Sequence, residues 1–517
     1  MKINRRCILA LAGFAAALLN MPAAIAAETP VRGGTIVASM DLQPKSLDPI
    51  MGDAPNSDRY VLLQIFESLL RFDERGNLQP ALAESWSYSD DKKSILFKLR
   101  RGVTFHDGTP FDAEAAAFNL RRAISPEVNA PRRGDLADIE SVDVVDAYTL
   151  RVNLKDTSGA ALASLAVEAG MMSSPTAIKK YGQDYGRYPV GTGPFKFVEW
   201  VAGSHVDLER NENYWRIGED GKPLPYVDKV RLRFIPNTAV KLVEVRSGNV
   251  HIVDGVTPKD FEAVEKDSNL RLVKVPPGIA QWVALNTTLP PFNDPKLRRA
   301  LSVSINRDQI MKMVTRGYGM VIPTVVAATD WSYDENVKPH PYDPAEAKKL
   351  LAEAGKPDGF KATLSVIQRD PDTQIAQIMQ QQLKQVGIDL EIEILERQAW
   401  VSKVLNGKTH QAALGRVNVP RADPDHVFGL FFGRDAAQNW SVITDEALFR
   451  VVDEARRSID PAERKKYYTE AQQILLDNTY YAFLFFREAR HVARKEVKSL
   501  TIDAGGAWLL GYAWLEK

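Results

Sequence analysis

A charged stretch in the last quarter of the chain, GRVNVPRADPDHVFGLFFGRD at residues 415–435, holds residue types that could do chemistry. Aspartate and histidine side chains coordinate metal ions, and arginine binds carboxylates through two parallel hydrogen bonds. Asp-Pro pairs also begin helices, because the carboxylate accepts N–H groups of the first turn. The stretch is therefore a solute site, a metal site or a capped helix start. Its charged members in question are Arg416, Arg421, Asp423, Asp425 and His426.

Motifs of nucleophilic or metal-dependent enzymes are missing from the sequence. It has no G-x-S-x-G elbow, no P-loop and no H-E-x-x-H. The single cysteine is Cys7, and the seven histidines are scattered without partners at metal-ligand spacing. His106, beside Asp107 in FHDG, is either a catalytic or metal-binding group or a turn residue with satisfied hydrogen bonds. We therefore expect no enzyme activity, no bound metal and no cofactor.

Three further side chains are candidates for solute binding. Arg369 follows a strand pattern at 362–367 and precedes a helix that begins near Thr373. Ligands bind in loops after the carboxyl ends of strands, so Arg369 is either a binding residue or a solvated loop arginine. Trp282 and Trp440 are either ring-stacking platforms for a ligand or packing residues of a core or domain interface.

The elements that must position these residues follow an α/β pattern. Residues 373–386 place apolar side chains on one helical face, and residues 388–394 then alternate apolar and acidic side chains with the period of a strand. Gly387 stands between them, where a helix end favours a residue that tolerates positive φ. Asp-Pro recurs before helical patterns at 294–295, 343–344 and 460–461, which favours the helix-start interpretation of Asp423-Pro424.

The first 26 residues are predicted to be a secretory signal peptide. Lys2, Arg5 and Arg6 precede an apolar run at 8–19, which ends in an A-x-A pattern at 24–26. Sec export is the simpler interpretation, with twin-arginine export as the alternative. Lys+Arg and Asp+Glu number 66 each, so removal of three basic residues leaves 63 against 66. That balance does not favour nucleic-acid binding, and the export pattern predicts a periplasmic protein.

Several segments, in order along the chain, resemble the family 5 extracytoplasmic solute-binding proteins of ABC transporters, which include dipeptide- and oligopeptide-binding proteins. These segments include PKSLDP at 44–49, FKLRRGVTFHDGTPFDAEAAAFNLRR at 97–122, PVGTGPFKFVEW at 189–200, RNENYW at 210–215 and ALNTTLPPFNDPKLRRALSVSINR at 284–307. The resemblance explains FHDG as a family turn.

The resemblance implies an α/β two-lobe periplasmic binding protein fold of type II, with a hinge between the lobes and an extra subdomain inserted in lobe I. The crossings between lobes are expected near 276–281 and 485–490. The implied divisions are a signal peptide at 1–26, a lobe I core at 27–70 and 185–278, its inserted subdomain at 71–184, lobe II at 279–486, and a C-terminal return to lobe I at 487–517.

The same resemblance suggests how a solute is held. Dipeptide-binding members pair the peptide ammonium with an aspartate three residues before DPD, and a tryptophan precedes that aspartate by three more. Those positions are Pro420 and Val417 here, so the sequence lacks the carboxylate that would pair with a free amine of the solute. Arg369 resembles the family arginine that holds the solute carboxylate.

Other residues near the changed segment extend this expectation. Arg416 and Arg421 add positive charge, Asn418 offers an amide, and Trp282 and Trp440 could stack on a ring. An anionic or polyhydroxylated solute without an obligatory free amine is favoured, such as a modified or opine-like peptide analogue.

The predicted function is capture of a peptide-like solute and its delivery to an ABC permease by a monomeric periplasmic protein. The alternatives are a sugar- or oligosaccharide-binding member of the family, a metallophore or haem carrier, and a secreted hydrolase.

Overall fold

Mixed β-sheets flanked by helices make up the computed structural model, which describes residues 29–52, 57–73, 76–276, 278–328, 330–418 and 423–516 of the 517-residue chain. The predicted signal peptide at 1–26 lies outside these residues. Among them, no helix is both long and apolar enough to cross a membrane.

The strands and helices have the following bounds. The strands are β1 (Thr35–Met40), β2 (Leu70–Phe72), β3 (Leu78–Pro80), β4 (Ala83–Tyr88), β5 (Ser94–Leu99), β6 (Ile139–Asp146), β7 (Thr149–Leu154), β8 (Phe195–Val201), β9 (His205–Arg210), β10 (Lys229–Phe234), β11 (Ile252–Val256), β12 (Leu270–Lys274), β13 (Ile279–Leu285), β14 (Gly319–Val321), β15 (Phe360–Ile367), β16 (Ile388–Leu395), β17 (Ala412–Asn418), β18 (Tyr481–Arg487), β19 (Arg490–Arg494), β20 (Val497–Lys498), β21 (Thr501–Ile502), β22 (Trp508–Leu509) and β23 (Trp514–Leu515). The helices are α1 (Ser57–Ile65), α2 (Ala113–Ile124), α3 (Ala161–Ser164), α4 (Pro175–Tyr181), α5 (Thr238–Ser247), α6 (Pro258–Glu265), α7 (Pro295–Val303), α8 (Arg307–Thr315), α9 (Pro344–Glu353), α10 (Asp372–Lys384), α11 (Arg397–Val401), α12 (Asp425–Phe432), α13 (Glu446–Arg457) and α14 (Pro461–Asp477).

Three sheets carry most of the fold. A seven-stranded sheet has the order β12-β19-β11-β1-β10-β9-β8, and a six-stranded sheet has the order β14-β18-β13-β17-β15-β16. The third is a four-stranded sheet with the order β4-β5-β7-β6. The chain passes from β1 in the seven-stranded sheet to the four-stranded sheet and returns to the seven-stranded sheet at β8.

The two large sheets are joined by two short crossings. One crossing leads from β12 to β13 at 275–278, and the other leads from β18 to β19 at 488–489. The crossing from β18 to β19 connects interior strands of both sheets, whereas the crossing from β12 to β13 leads from the edge strand of the seven-stranded sheet to an interior strand of the six-stranded sheet. The four-stranded sheet has no chain connection of its own to the six-stranded sheet.

The predicted helix and strand at 373–394 are both present, as α10 and β16. Ile375, Met379 and Leu383 on the predicted face of α10 are fully buried, because this face packs on the six-stranded sheet. Gly387 has a φ of +95°, as the turn between α10 and β16 requires.

The Asp-Pro pairs stand at helix starts in all four predicted places. Asp294, Asp343 and Asp460 are the N-cap residues of α7, α9 and α14, and each accepts a backbone N–H of the first turn. At the fourth place, Oδ1 of Asp423 accepts the backbone N–H of Asp425, the first residue of α12, at 2.9 Å, as predicted, although Pro424 is the residue directly before the helix. The Asp423 carboxylate also binds Arg464 through both of its oxygens.

Candidate functional site

Three arginines meet at one end of the six-stranded sheet. Arg369 follows β15, Arg416 lies in β17, and Arg487 is the last residue of β18. The central strand β13 aligns two of them, because Gln281 is opposite Arg416 and Ile279 is opposite Arg487. Alternate residues of a strand share a face, so these side chains lie on the α10 side of the sheet. We call Arg369, Arg416 and Arg487 the arginine cluster.

The carboxylate that the arginine cluster shares belongs to Asp372, the first residue of α10. Asp372 is fully buried, and its Oδ2 accepts a hydrogen bond from Nε of Arg369 at 2.5 Å. Its Oδ1 accepts a second bond from Nε2 of Gln281 at 3.0 Å. A carboxylate in the first turn is stabilised by the helix dipole, so Asp372 is held firmly in place.

Burial and mutual repulsion make the other two guanidinium groups costly to keep charged. Burial first, and then the charge of Arg369, lowers the pKa of Arg416. Burial and then the charge of Arg416 lower the pKa of Arg487 to about 10, while Asp372 opposes both shifts. Both arginines stay protonated at neutral pH, and a bound anion would stabilise these charges.

The arginine cluster also contains polar atoms without a partner among the described residues. Nε of Arg487 and Oε1 of Gln281 are buried there and have no hydrogen-bond partner. A buried unpaired donor costs free energy unless a ligand or water meets it. With three guanidinium groups around one shared carboxylate, the cluster has an excess of positive charge and of donors, which suits a carboxylate-bearing ligand.

A cavity of about 540 Å³ lies where the chain crosses between the two large sheets. One side is formed by residues at the end of β12 and by Leu500 and Ile502, and the other by Met320 and Phe486. Phe486 and Glu488 flank Arg487 along the chain, so the cavity and the arginine cluster occupy opposite faces of the same strand end. A volume of this size suits a small solute.

A buried ion triad lies at the carboxyl ends of strands in the seven-stranded sheet. Lys241 of α5 is fully buried and pairs with Asp41, which follows β1, and with Asp254 of β11. Burial raises the pKa of Asp254, and Lys241 opposes this shift. The Asp41 side chain is 55% exposed, so this carboxylate remains accessible to a positively charged group.

Trp282 and Trp440 lie in the aromatic core of the six-stranded sheet. They are 0% and 4% exposed, and their ring centroids are 5.5 Å apart. Trp282 also contacts the rings of Phe431, Phe432, Tyr481 and Phe483. A Cβ atom at Gly415 would lie 2.2 Å from the Trp440 ring, so the strand itself covers that ring. In the structure, both tryptophans are therefore packing residues of a core.

The remaining predicted site residues are only partly described. Asn418 ends β17, and its side chain lies outside the described part of the structure, as do Arg421 and Pro420. Asp423 forms a buried ion pair with Arg464, at 2.8 Å from each oxygen, and so has a structural contact of its own. The charged stretch at 415–435 therefore contributes Arg416 to the arginine cluster and Asp423 to the core.

The structure also shows how His106 and His205 are placed. The Nε2 atom of His106 lies 3.0 Å from the carbonyl oxygen of Gly193, as expected for a turn residue whose ring nitrogen has a hydrogen-bond partner. Burial lowers the pKa of His106 to about 4. His205 approaches Glu199 and Asp207 closely enough to share a metal, which the sequence spacing did not indicate. Arg231 already binds both oxygens of Asp207, at 2.7 and 2.5 Å.

Comparison with known proteins identifies the class. Residues 77–439 match the family of bacterial extracellular solute-binding proteins, family 5 Middle. The chain belongs to this family. It is 30% identical to the glutathione-binding protein GsiB of Escherichia coli (strain K12), over 98% of this chain and 97% of that protein. The predicted class of solute-binding protein is confirmed.

Solved structures agree with this assignment. The periplasmic binding protein DppA from Helicobacter pylori, in complex with peptide STSA, is 28% identical with a TM-score of 0.77, over 94% of this chain and 99% of that one. AgaA from A. tumefacien R10, in complex with agropinic acid, is 25% identical with a TM-score of 0.75, over 94% and 99%. The two-lobe α/β fold is therefore confirmed.

Sequence reasoning missed Arg487, Asp372 and Gln281 as neighbours of Arg369 and Arg416. Arg487 ends the apolar strand YAFLFFR, and a charge at the end of a buried strand was the available clue. The positions of Asp372 and Gln281 gave no such clue, because their contact spans 91 residues of sequence.

Proposed function

We propose that this protein captures an anionic, peptide-like solute in the periplasm and delivers it to an ABC permease. The observation that carries the proposal is the arginine cluster, in which Asp372 binds Arg369 directly and also acts on the charges of Arg416 and Arg487. A solute carboxylate placed there gains charge-assisted hydrogen bonds and offsets the repulsion between the guanidinium groups.

The named ligands of the relatives support an acidic solute. One relative is a glutathione-binding protein, and another was solved with agropinic acid. Glutathione and agropinic acid both carry carboxylates, which match the donors of the arginine cluster. The polyhydroxylated alternative would need Trp282 and Trp440 as stacking surfaces, and other side chains cover both rings.

Transport follows from closure of two lobes on the solute. The divisions at 27–70 with 185–278, 71–184, 279–486 and 487–517 are our proposed domain boundaries, and the crossings at 275–278 and 488–489 serve as the hinge. A solute that contacts both lobes favours the closed form by its differential affinity. The permease then recognises that form. We propose a monomer without enzyme activity, nucleic-acid partner or cofactor, exported by the signal peptide at 1–26.

Arg421 and Asn418 remain proposed solute contacts, on the basis of the family resemblance alone. The loss of the family acid at Pro420 disfavours an obligatory solute amine. Asp41, half-exposed at the end of β1, offers a carboxylate from the other large sheet if the solute does carry an amine.

Mass spectrometry of the solute that co-purifies with the protein tests the proposal. We expect a compound with at least one carboxylate. The stripped protein should then be stabilised against heat by that compound and not by its ester, in proportion to the logarithm of solute concentration over Kd. A neutral solute, or equal stabilisation by acid and ester, would refute the proposal.

Variants of the cluster sharpen that test. Arg416→Gln and Arg487→Gln should each weaken binding by about 10- to 100-fold, because a hydrogen bond to a charged group contributes about 1.5–3 kcal/mol. Arg434→Gln is the matched control, since Arg434 is an exposed arginine that pairs with Glu446 at 2.7 Å. It should bind as the wild type does.

A further inference from the structure

Residues beside the four-stranded sheet contact the end of α13, which packs beside the six-stranded sheet, and none of these residues belongs to either crossing. Asp138 immediately precedes β6 of the four-stranded sheet, and Arg456 lies in the last turn of α13 beside the six-stranded sheet. Nη2 of Arg456 donates a hydrogen bond to Oδ1 of Asp138 at 2.7 Å. Arg457 approaches Asp156 in the same way, at 3.5 Å. Two ion pairs therefore join elements that no direct chain segment connects.

A backbone contact reinforces the first of these ion pairs. The N–H of Gly159 donates to the carbonyl of Arg456 at 2.8 Å. A Cβ atom at Gly159 would lie 2.0 Å from the carbonyl oxygen of Ser458 and 2.9 Å from Cδ of Arg464. The backbones thus approach each other at a distance that only glycine permits, although the φ of Gly159 is not in the left-handed region.

The acceptor side of the contact is held in place by its own neighbours. Oγ of Ser158 donates to Oδ2 of Asp138 at 2.6 Å, and the hydroxyl of Tyr88 donates to the carbonyl of Ser158 at 3.0 Å. On the other side, Arg464 is anchored by Asp423. Each side of the contact is therefore held by hydrogen bonds of its own, which reduces the conformational entropy lost on contact.

A rotation about the crossings that separates the two large sheets must break these contacts, because the four-stranded sheet is connected through the seven-stranded sheet only. We propose that Asp138, Gly159 and Arg456 form an interlobe clasp that favours the closed form of the solute-free protein. The clasp raises the apparent affinity for any solute that binds the closed form, since that affinity scales with the fraction already competent to bind.

Distances between spin labels in the solute-free protein test the clasp without knowledge of the solute. Labels on Val145→Cys in β6 and Lys466→Cys in α14 report the separation of the two sheets, and both positions are exposed. The native cysteine, Cys7, lies in the predicted signal peptide and does not interfere in the processed chain. The wild type should show a short-distance population that represents the closed form.

Two variants perturb the clasp by different means. Asp138→Asn removes the charge and should lower the closed-to-open ratio about threefold, as expected for a partly exposed ion pair. Gly159→Ala inserts a methyl group where there is no room and should lower the ratio about tenfold or more. Glu446→Gln breaks an ion pair within a single lobe and is the matched control, with no expected change.

Salt gives an independent readout of the same contact. Ionic strength of about 1 M shortens the screening length to about 3 Å, so it should reduce the closed population of the wild type more than that of Asp138→Asn. Circular dichroism checks that each variant is folded. Equal distance distributions in the wild type and both clasp variants, or a wild type without a short-distance population, would overturn the clasp. Either result would leave the proposed solute specificity standing, because that rests on the arginine cluster.

Discussion

Arg369 and Asp372 are joined by a 2.5 Å hydrogen bond between Nε and Oδ2, across one turn at the start of α10. The Asp372 side chain is fully buried, whereas the Arg369 side chain is 23% exposed. Asp372 therefore fixes one edge of the guanidinium group and leaves its other nitrogens available. An arginine oriented in this way can bind a solute carboxylate without first losing much side-chain freedom.

Substitution of Arg369 tests its role in solute binding. We expect Arg369→Ala to abolish the thermal stabilisation given by the co-purified solute and to weaken Kd by about 10- to 100-fold, because a charge-assisted hydrogen bond is lost. Arg369→Lys, which keeps the charge but not the planar group, should retain part of the affinity. Thermal melting with and without solute, together with calorimetric titration, measures both effects. A melting shift equal to that of the wild type would remove Arg369 from the site.

Trp282 is expected to act on stability and not on solute affinity. It is fully buried among aromatic rings, so Trp282→Ala should destabilise the protein by about 3–5 kcal/mol. Urea unfolding followed by circular dichroism measures this loss. The folded fraction should bind solute within about threefold of the wild type. If affinity falls sharply while stability is kept, the ring contacts the solute after all.

The Asp423–Arg464 ion pair should be essential for folding of the region around α12. Its side chains are 10% and 7% exposed, so Asp423→Asn leaves a buried guanidinium without its counterion. We expect a loss of about 3–5 kcal/mol in the free energy of unfolding. Glu262→Gln breaks the exposed pair with Lys266 and should leave the unfolding midpoint unchanged. Equal effects of the two substitutions would contradict a structural role for Asp423.

Because it contains buried histidines, the folded protein should lose stability in mild acid. Burial lowers the pKa of His106, His410 and His491 to about 4, from an ordinary value of 6.5. As pH falls from about 6.5 towards 4, the unfolded chain binds protons that the folded chain does not, so unfolding becomes more favourable. The stability that these histidines confer is complete above pH 6.5 and declines through that window.

A single variant isolates this contribution. Burial raises the pKa of Asp330 and Asp425 to about 6, and these groups change stability in the opposite direction over the same window. We therefore expect His410→Gln to have a shallower dependence of melting temperature on pH between 4 and 6.5 than the wild type. An unchanged dependence would show that His410 does not titrate differently in the two states.

Much of the fold could be predicted from sequence because its signals are local. The period-3.6 and period-2 patterns at 373–394 predicted α10 and β16, and the Asp-Pro pairs marked four helix starts. Asp423 has in addition a tertiary contact with Arg464, 41 residues away, which the local pattern did not indicate. A local rule cannot anticipate a partner brought in by packing.

The candidate site could be predicted only in part for the same reason. Arg369 was found from its place after a strand, and Arg416 from its place beside the segment that departs from the family pattern. The structure brings the two charges together. Arg487 joins them through pairing of β18 with β13, a relationship set by sheet order and not by sequence distance. The burial that shifts the pKa of Arg487 is likewise a property of the assembled sheet.

Strand β19, residues Arg490–Arg494, inserts between β11 and β12, and β18 inserts between β13 and β14. Both large sheets therefore receive an interior strand from the last 37 residues of a 517-residue chain. A polypeptide emerging from its amino end cannot complete either sheet until nearly all of it has been released. Formation of both sheets is therefore coupled to the carboxyl-terminal end of the chain, and loss of that short segment would leave each sheet divided into two parts.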